Sequence, residues 1–216
     1  MKIHIGCGKT LLEGFVNIDN SPTALFSKMP AFLPSLLNKL SLLNDEQLSF
    51  SRQLRARKKE FLYSNCLRLP FKDNSIDFAY SSHMLGWCLG QDQLHQFSRE
   101  VHRVLRPGGG ARLSFFNLDR VLADYQQHRN TLKLMEAMPL GAKEFTRGRK
   151  LKLLLTPNMQ NGIPLNAETF GDYLQKNGFR EIRTLAAGET TMEPQWVEGL
   201  NLYERAGESV YMECRK

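Results

Sequence analysis

A strongly one-sided helix lies between two strand-like runs, and that arrangement leaves the chain few folds to choose from. Ile76 to Ser81 is apolar with a single acid, Asp77, and Ala111 to Phe116 is apolar again. Between them Leu94, Phe97, Val101, Val104 and Leu105 share one helical face, which Pro107-Gly108-Gly109-Gly110 stops. The alternation recurs along the chain. Lys2 to Ile5 reads as a strand ending in a tight Gly6-Cys7-Gly8 loop, and Phe15 to Asp19 as a second strand. Only Lys9 to Gly14 separate them, too few residues for a crossover helix. Phe61 to Leu69 reads as a further strand ending at Pro70, and Lys72 to Ser75 as a turn. Asn166 suits the N-cap of a helix from Ala167 to Asn177, with Leu165 and Phe170 spaced as a hydrophobic staple and Gly178 at C′. Phe179–Ala187 and Glu208–Cys214 complete the strands. Strands alternating with helices predict an α/β fold with a mostly parallel sheet and an antiparallel final strand.

Two segments interrupt this pattern. Ser21 to Glu60 is punctuated by Pro22, Pro30 and Pro34, then carries Leu36, Leu37, Leu40 and Leu43 at helical spacing. It reads as a helical insertion or lid over residues 21–60 of one domain, residues 1–216. Asn117 to Pro164 reads as a mixed, second substrate-side insertion over 117–165. The same segments hold the basic excess. Lys and Arg number 29 against 22 Asp and Glu, giving +7. Arg52, Arg55, Arg57, Lys58 and Lys59 form one cluster; Lys143, Arg147, Arg149, Lys150 and Lys152 form the other. A charge placed this way calls for an anionic partner, unless it only keeps mobile helices solvated.

Other classes fall away. No apolar run reaches the ~18 residues of a membrane span. The start lacks the apolar stretch of a signal peptide, and no N-terminal extension is expected to act as a lid. The four cysteines form no C-x-x-C pair, and His95, His102 and His128 have no metal-ligand spacing, so no metal is expected and the location expected is cytoplasmic. Gly8-Lys9-Thr10 hints at a phosphate loop, but that motif needs a glycine where Ile3 stands.

A glycine turn after the first strand lets backbone N–H groups approach a ligand, and a carboxylate ending the second strand can accept from both hydroxyls of a ribose. Three ordered motifs narrow this further: Ile5-Gly6-Cys7-Gly8 with Gly14-Phe15-Val16-Asn17-Ile18-Asp19, Leu69-Pro70-Phe71-Lys72-Asp73-Asn74-Ser75-Ile76-Asp77, and Arg103-Val104-Leu105-Arg106-Pro107-Gly108-Gly109. Together they resemble the class I S-adenosylmethionine-dependent methyltransferases, in particular the small methyltransferase type 11-like branch. The resemblance runs from Lys2 to about Asp119 and returns more weakly at Ala167–Gly188 and Glu208–Arg215.

It implies a Rossmann-like, doubly wound fold and S-adenosyl-L-methionine as cofactor, leaving as S-adenosyl-L-homocysteine. Gly6, Cys7 and Gly8 would line its methionine end, Asp19 would hold the ribose hydroxyls, and Asn20 would sit beside the adenosine. Asn65 stands where relatives often have an Asp facing the adenine amino group, and Cys66 would flank the adenine. Ser81, Ser82 and His83 would end the fourth strand at the mouth of the methyl-transfer site. Relatives often continue with a hydrophobic pair and Glu-His, where this chain has Met84-Leu85-Gly86-Trp87; Trp87 would pack on cofactor or substrate. Asp119 would face the site or start the next helix. His83 is the candidate base, or a structural strand-end histidine.

The function expected is in-line methyl transfer to a small-molecule or glycan-like, anionic acceptor, with Arg147 and Arg149 on the acceptor side. An RNA-directed enzyme is less favoured, since no RNA-binding module is recognisable. An aminopropyl transferase on the same fold and a non-catalytic cofactor-binding module are the remaining alternatives. The acceptor atom and the oligomeric state are open.

Overall fold

The computed structural model describes residues 1–132, 134 and 162–216. Seven strands form one sheet: β1 Lys2–Ile5, β2 Phe15–Asp19, β3 Phe61–Tyr63, β4 Ile76–Ser82, β5 Leu105–Phe116, β6 Arg180–Leu185 and β7 Ser209–Arg215. Their order is β3-β2-β1-β4-β5-β7-β6. All neighbours run parallel except β7, which is antiparallel to both β5 and β6. The order reverses between β1 and β4, which makes the carboxyl ends of these strands the expected ligand crevice.

The described helices are α1 Pro22–Phe26, α2 Phe32–Lys39, α3 Asp45–Ala56, α4 Leu85–Cys88, α5 Gln91–Val104, α6 Leu118–His128, α7 Ala167–Lys176 and α8 Pro194–Val197. The amphipathic α5 buries Leu94, Phe97, Val101 and Val104 against one sheet face, where α7 adds Phe170 and Leu174. Asn166 caps α7 by accepting from Thr169 N at 3.0 Å, and Gly178 follows it at φ +91°.

The other face is covered differently. No helix separates β1 from β2, so Phe15, Phe78 and Tyr80 pack instead against Met192 and Trp196, which lie between β6 and β7. One buried pair ties that segment down. Glu213 on β7 accepts from Arg112 Nη1 (2.6 Å), Thr190 Oγ1 (2.7 Å), Thr191 N (2.6 Å) and Thr191 Oγ1 (2.8 Å). Arg112 Nη1 also donates to Glu189 O at 2.9 Å.

Several boundaries differ from the sequence reading. The strand expected over Phe61–Leu69 ends at Tyr63, because Asn65 starts a turn by accepting from Leu67 N. Leu105 opens β5 rather than closing the helix, and the Pro107–Gly110 turn is an irregularity inside that strand. A Cβ at Gly109 would lie 2.9 Å from Arg106 O, and one at Gly110 would lie 2.4 Å from Met192 Sδ. These close approaches explain why glycines stand there.

His4 on β1 is 2 % exposed, and its Nδ1 lies 3.2 Å from Asn17 Oδ1. Burial lowers its pKa to about 4 from 6.5. The unfolded chain therefore takes up a proton below about pH 6.5 that the native state refuses until about pH 4. This stabilisation is complete above pH 6.5 and is lost on acidification, by about 2 kcal/mol at pH 5. The wild-type urea midpoint is expected to fall between pH 7.5 and 5.0, and His4→Gln to remove most of that fall. Parallel pH dependences would rule His4 out as the cause.

Candidate functional site

The β1–β2 turn folds back on itself at the carboxyl edge of the sheet. Gly6 N and Cys7 N both donate to Ile18 O, at 2.8 and 3.0 Å. Gly6 has φ +70° and lies so close to Met84 that an added Cβ would come within 2.5 Å of its Cγ. Gly8 has φ +50° with nothing within 4 Å of its missing Cβ, so this backbone is open to a ligand. Asp19 faces the turn: Oδ2 accepts from Gly8 N at 2.9 Å and Oδ1 from Ser21 N at 2.6 Å. Each oxygen keeps a further lone pair, the arrangement a vicinal diol can donate into. Tyr63 lies beside it in register, and burial followed by the Asp19 charge raises its phenol pKa.

The structure explains motif residues that the sequence left without a role. Asn17 is fully buried. Its Nδ2 donates to Leu12 O (3.0 Å), Phe15 O (3.3 Å) and Glu60 O (3.2 Å), and its Oδ1 accepts from Leu12 N (2.9 Å). One amide thus pins the chain on both sides of β2 and holds Asp19 in place. Arg103 does the same for the Leu69–Asp73 loop. It donates to Leu69 O (3.1 Å), Phe71 O (2.9 Å), Asp73 Oδ1 (2.5 Å) and Glu100, whose Oε1 accepts from Leu69 N at 2.6 Å. These partners are brought together in space, so only their joint presence in the motifs could have signalled it.

The remaining candidates divide. Cys7 is buried beside Ala24, Phe50, Leu54 and Phe61, and burial pushes its thiol pKa up, so its side chain is core while its backbone lines the turn. Asn20 contributes its carbonyl to Tyr63 OH at 3.5 Å. Asn65 is exposed with its carbonyl oxygen in the turn to Leu67, and Cys66 follows within that turn. Ser82 faces away, donating to Glu204 Oε2 at 2.8 Å, an oxygen that also accepts from Tyr80 OH at 2.8 Å. Ser81 Oγ and His83 Nδ1 are buried, with no hydrogen-bond partner among the described residues. His83 has φ +52°, its N donates to Ser114 O at 2.8 Å, and burial followed by the Arg205 charge lowers its pKa. Asp119 lies in the first turn of α6 and accepts from Asn166 Nδ2 at 3.2 Å. Trp87 lies in α4, with its side chain outside the described atoms, and Arg147 and Arg149 fall outside the described residues.

Of the first basic cluster, part is internal. Arg55 donates to Phe26 O and Met29 O, and Arg57 pairs with Glu60. Arg52, Lys58 and Lys59 are exposed. Lys9, Leu11, Gln53, Ala56 and Arg57 line a cleft between the glycine turn and α3. Among the described residues no cluster of His, Cys, Asp or Glu could hold a metal, and no helix is long and apolar enough to cross a membrane.

Comparison with known proteins agrees with this geometry. Residues 42–113 match the family described as "Methyltransferase domain". That stretch lies between Asp19 and the end of β5, so the glycine turn stands on its own geometry. The bifunctional biotin biosynthesis protein BioHC of Cellvibrio japonicus is 39% identical over 67 residues, which cover 31% of this chain and 13% of that protein. A malonyl-[acyl-carrier protein] O-methyltransferase of Dechloromonas aromatica is 40% identical over 70 residues, covering 30% of this chain and 25% of that one. The matched regions thus span a quarter or less of these relatives. Among solved structures, a SAM-dependent methyltransferase of Methanosarcina mazei aligns with TM-score 0.52 and 16% identity over 100% of this chain and 91% of that one. One from Archaeoglobus fulgidus aligns with TM-score 0.51 and 12% identity over 100% and 85%. Over residues 42–113 the chain is thus similar to the family described as "Methyltransferase domain", and its whole length shares the fold of these solved SAM-dependent methyltransferases.

Proposed function

We propose that the protein moves a methyl group from S-adenosylmethionine to a hydroxyl-bearing, anionic small-molecule or glycan-like acceptor. The observation that carries the reading is Asp19, a carboxylate at the end of β2 whose oxygens organise the glycine turn and keep lone pairs for a ribose. Gly6, Cys7 and Gly8 would hold the methionine end through backbone groups, and Asp19 the sugar. The cofactor when bound supplies an electrophilic sulfonium methyl. The chain's own contribution is to hold the acceptor in line with it, which supplies several kcal/mol of the barrier by orientation alone. His83, beyond the end of β4, is the base for a hydroxyl that arrives protonated. Arg52, Lys58 and Lys59, with Arg147 and Arg149, favour an acceptor of negative charge. The malonyl group named for the Dechloromonas aromatica relative is likewise an anion, and methyl transfer to its carboxylate oxygen would need no base.

The test is release of S-adenosylhomocysteine from S-adenosylmethionine in the presence of sugar nucleotides, a malonyl thioester or a short RNA. Turnover with the small anions, lost in Asp19→Ala, is the expected result. Turnover with RNA alone would replace the acceptor assignment. Cofactor binding without turnover on any member of the panel would favour a non-catalytic module.

A further inference from the structure

His83 is held from outside its own strand. Its backbone N donates to Ser114 O on β5, and its Nε2 lies 2.8 Å from Ser209 Oγ at the start of β7, 126 residues away. The ring therefore spans the carboxyl ends of β4 and β5, the edge where parallel sheets bind ligands. Ser209 has one hydroxyl hydrogen, and Arg205 O lies 2.9 Å from its oxygen. With that hydrogen committed to Arg205 O, the oxygen can only accept from the imidazole. His83 then carries its proton on Nε2, and Nδ1 presents a bare lone pair. That Nδ1 is buried and has no partner among the described residues. An unpaired buried acceptor has a cost, and one kept in a native fold calls for a reason, of which a catalytic role is one. The left-handed backbone of His83, φ +52°, is likewise uncommon for a residue with a side chain.

We propose that Ser209 is a positioning residue for methyl transfer, fixing His83 as the Nε2–H tautomer so that Nδ1 takes the acceptor's proton. The inference rests on the reading of His83 as base given above. In the step, the acceptor O–H bond breaks and its proton goes to Nδ1. The oxygen forms the new O–CH3 bond as the S–CH3 bond breaks, its electron pair remaining on sulfur. The resulting imidazolium still donates from Nε2 to Ser209. The charged groups that act on His83 are Arg205, Glu204 and Glu208, all in the segment leading into β7. Glu204 is itself tied to the sheet through Tyr80 and Ser82. The β6–β7 segment thus both covers one sheet face and sets the histidine.

The experiment is nitrogen-15 NMR of the histidine rings at pH 7.5, with His83→Gln used to assign the His83 signals. Expected is a wild-type ring protonated on Nε2 and bare on Nδ1. Ser209→Ala should bring the Nδ1–H form from undetected to a comparable share, and Ser209→Thr, which keeps the hydroxyl, should restore the wild-type pattern. A wild-type ring protonated on Nδ1, or a Ser209→Ala spectrum identical to wild type, overturns the proposal. Should Ser209→Ala fail to fold, wild type and Ser209→Thr decide: Nε2–H in both supports it and Nδ1–H in either sinks it. No cofactor or acceptor is needed, so a failed acceptor screen and a failed tautomer assignment are distinguishable.

Discussion

Asp19→Ala is expected to weaken S-adenosylmethionine binding by two orders of magnitude or more. Two things are lost at once. Hydrogen bonds to a charged group contribute about 1.5–3 kcal/mol each, and a ribose diol would make two to this carboxylate. Loss of about 3 kcal/mol is already more than a hundredfold in Kd. The substitution also removes the acceptors of Gly8 N and Ser21 N, which fix the turn and the start of α1. Asp19→Asn, which keeps one acceptor oxygen, should lie between wild type and alanine. Titration calorimetry reads all three, and an alanine variant binding within about threefold of wild type would remove Asp19 from the cofactor site.

Glu213→Ala should be strongly destabilising. Glu213 is fully buried, accepts four hydrogen bonds, and is paired with an Arg112 that is also buried. Removing one partner of such a pair leaves an uncompensated buried charge and costs about 3–5 kcal/mol. For a chain of this size that lowers Tm by about 10 °C. Replacing both partners by apolar residues, Arg112→Met with Glu213→Leu, should cost less than Glu213→Ala alone, because no orphaned charge remains. Thermal unfolding of the three proteins checks this; a Glu213→Ala Tm within about 3 °C of wild type would mean the pair does not hold the β6–β7 segment. Because that segment leads into Ser209, loosening it should also release His83.

The two faces of the sheet are covered differently. Helices α5 and α7 were legible because their apolar residues recur at helical spacing, and their caps are local chemistry. The cover on the opposite face was not legible. Residues 186–208 have no strong periodicity, and Met192 and Trp196 find their place only because Gly110 leaves room for them. Trp196 is core, whereas Tyr203 is exposed. The Pro-Gly-Gly-Gly run read as a stop, but α5 already ends at Val104 and the run lies inside β5.

The sequence by itself determined the alternation of elements, the glycine turn, the acid at the end of β2 and the helix caps. Each is written within a few residues, so backbone sterics and side-chain periodicity suffice. Only the tertiary structure decided that Asn17 and Arg103 are braces, that Arg112 meets Glu213 101 residues away, and that Ser209 lies 2.8 Å from the ring of His83. Arg112 and Glu213 meet through strand pairing and the others through the packing of helix and loop ends on the sheet, and a hydrogen bond a few ångströms long leaves no periodic trace in residues so far apart along the chain.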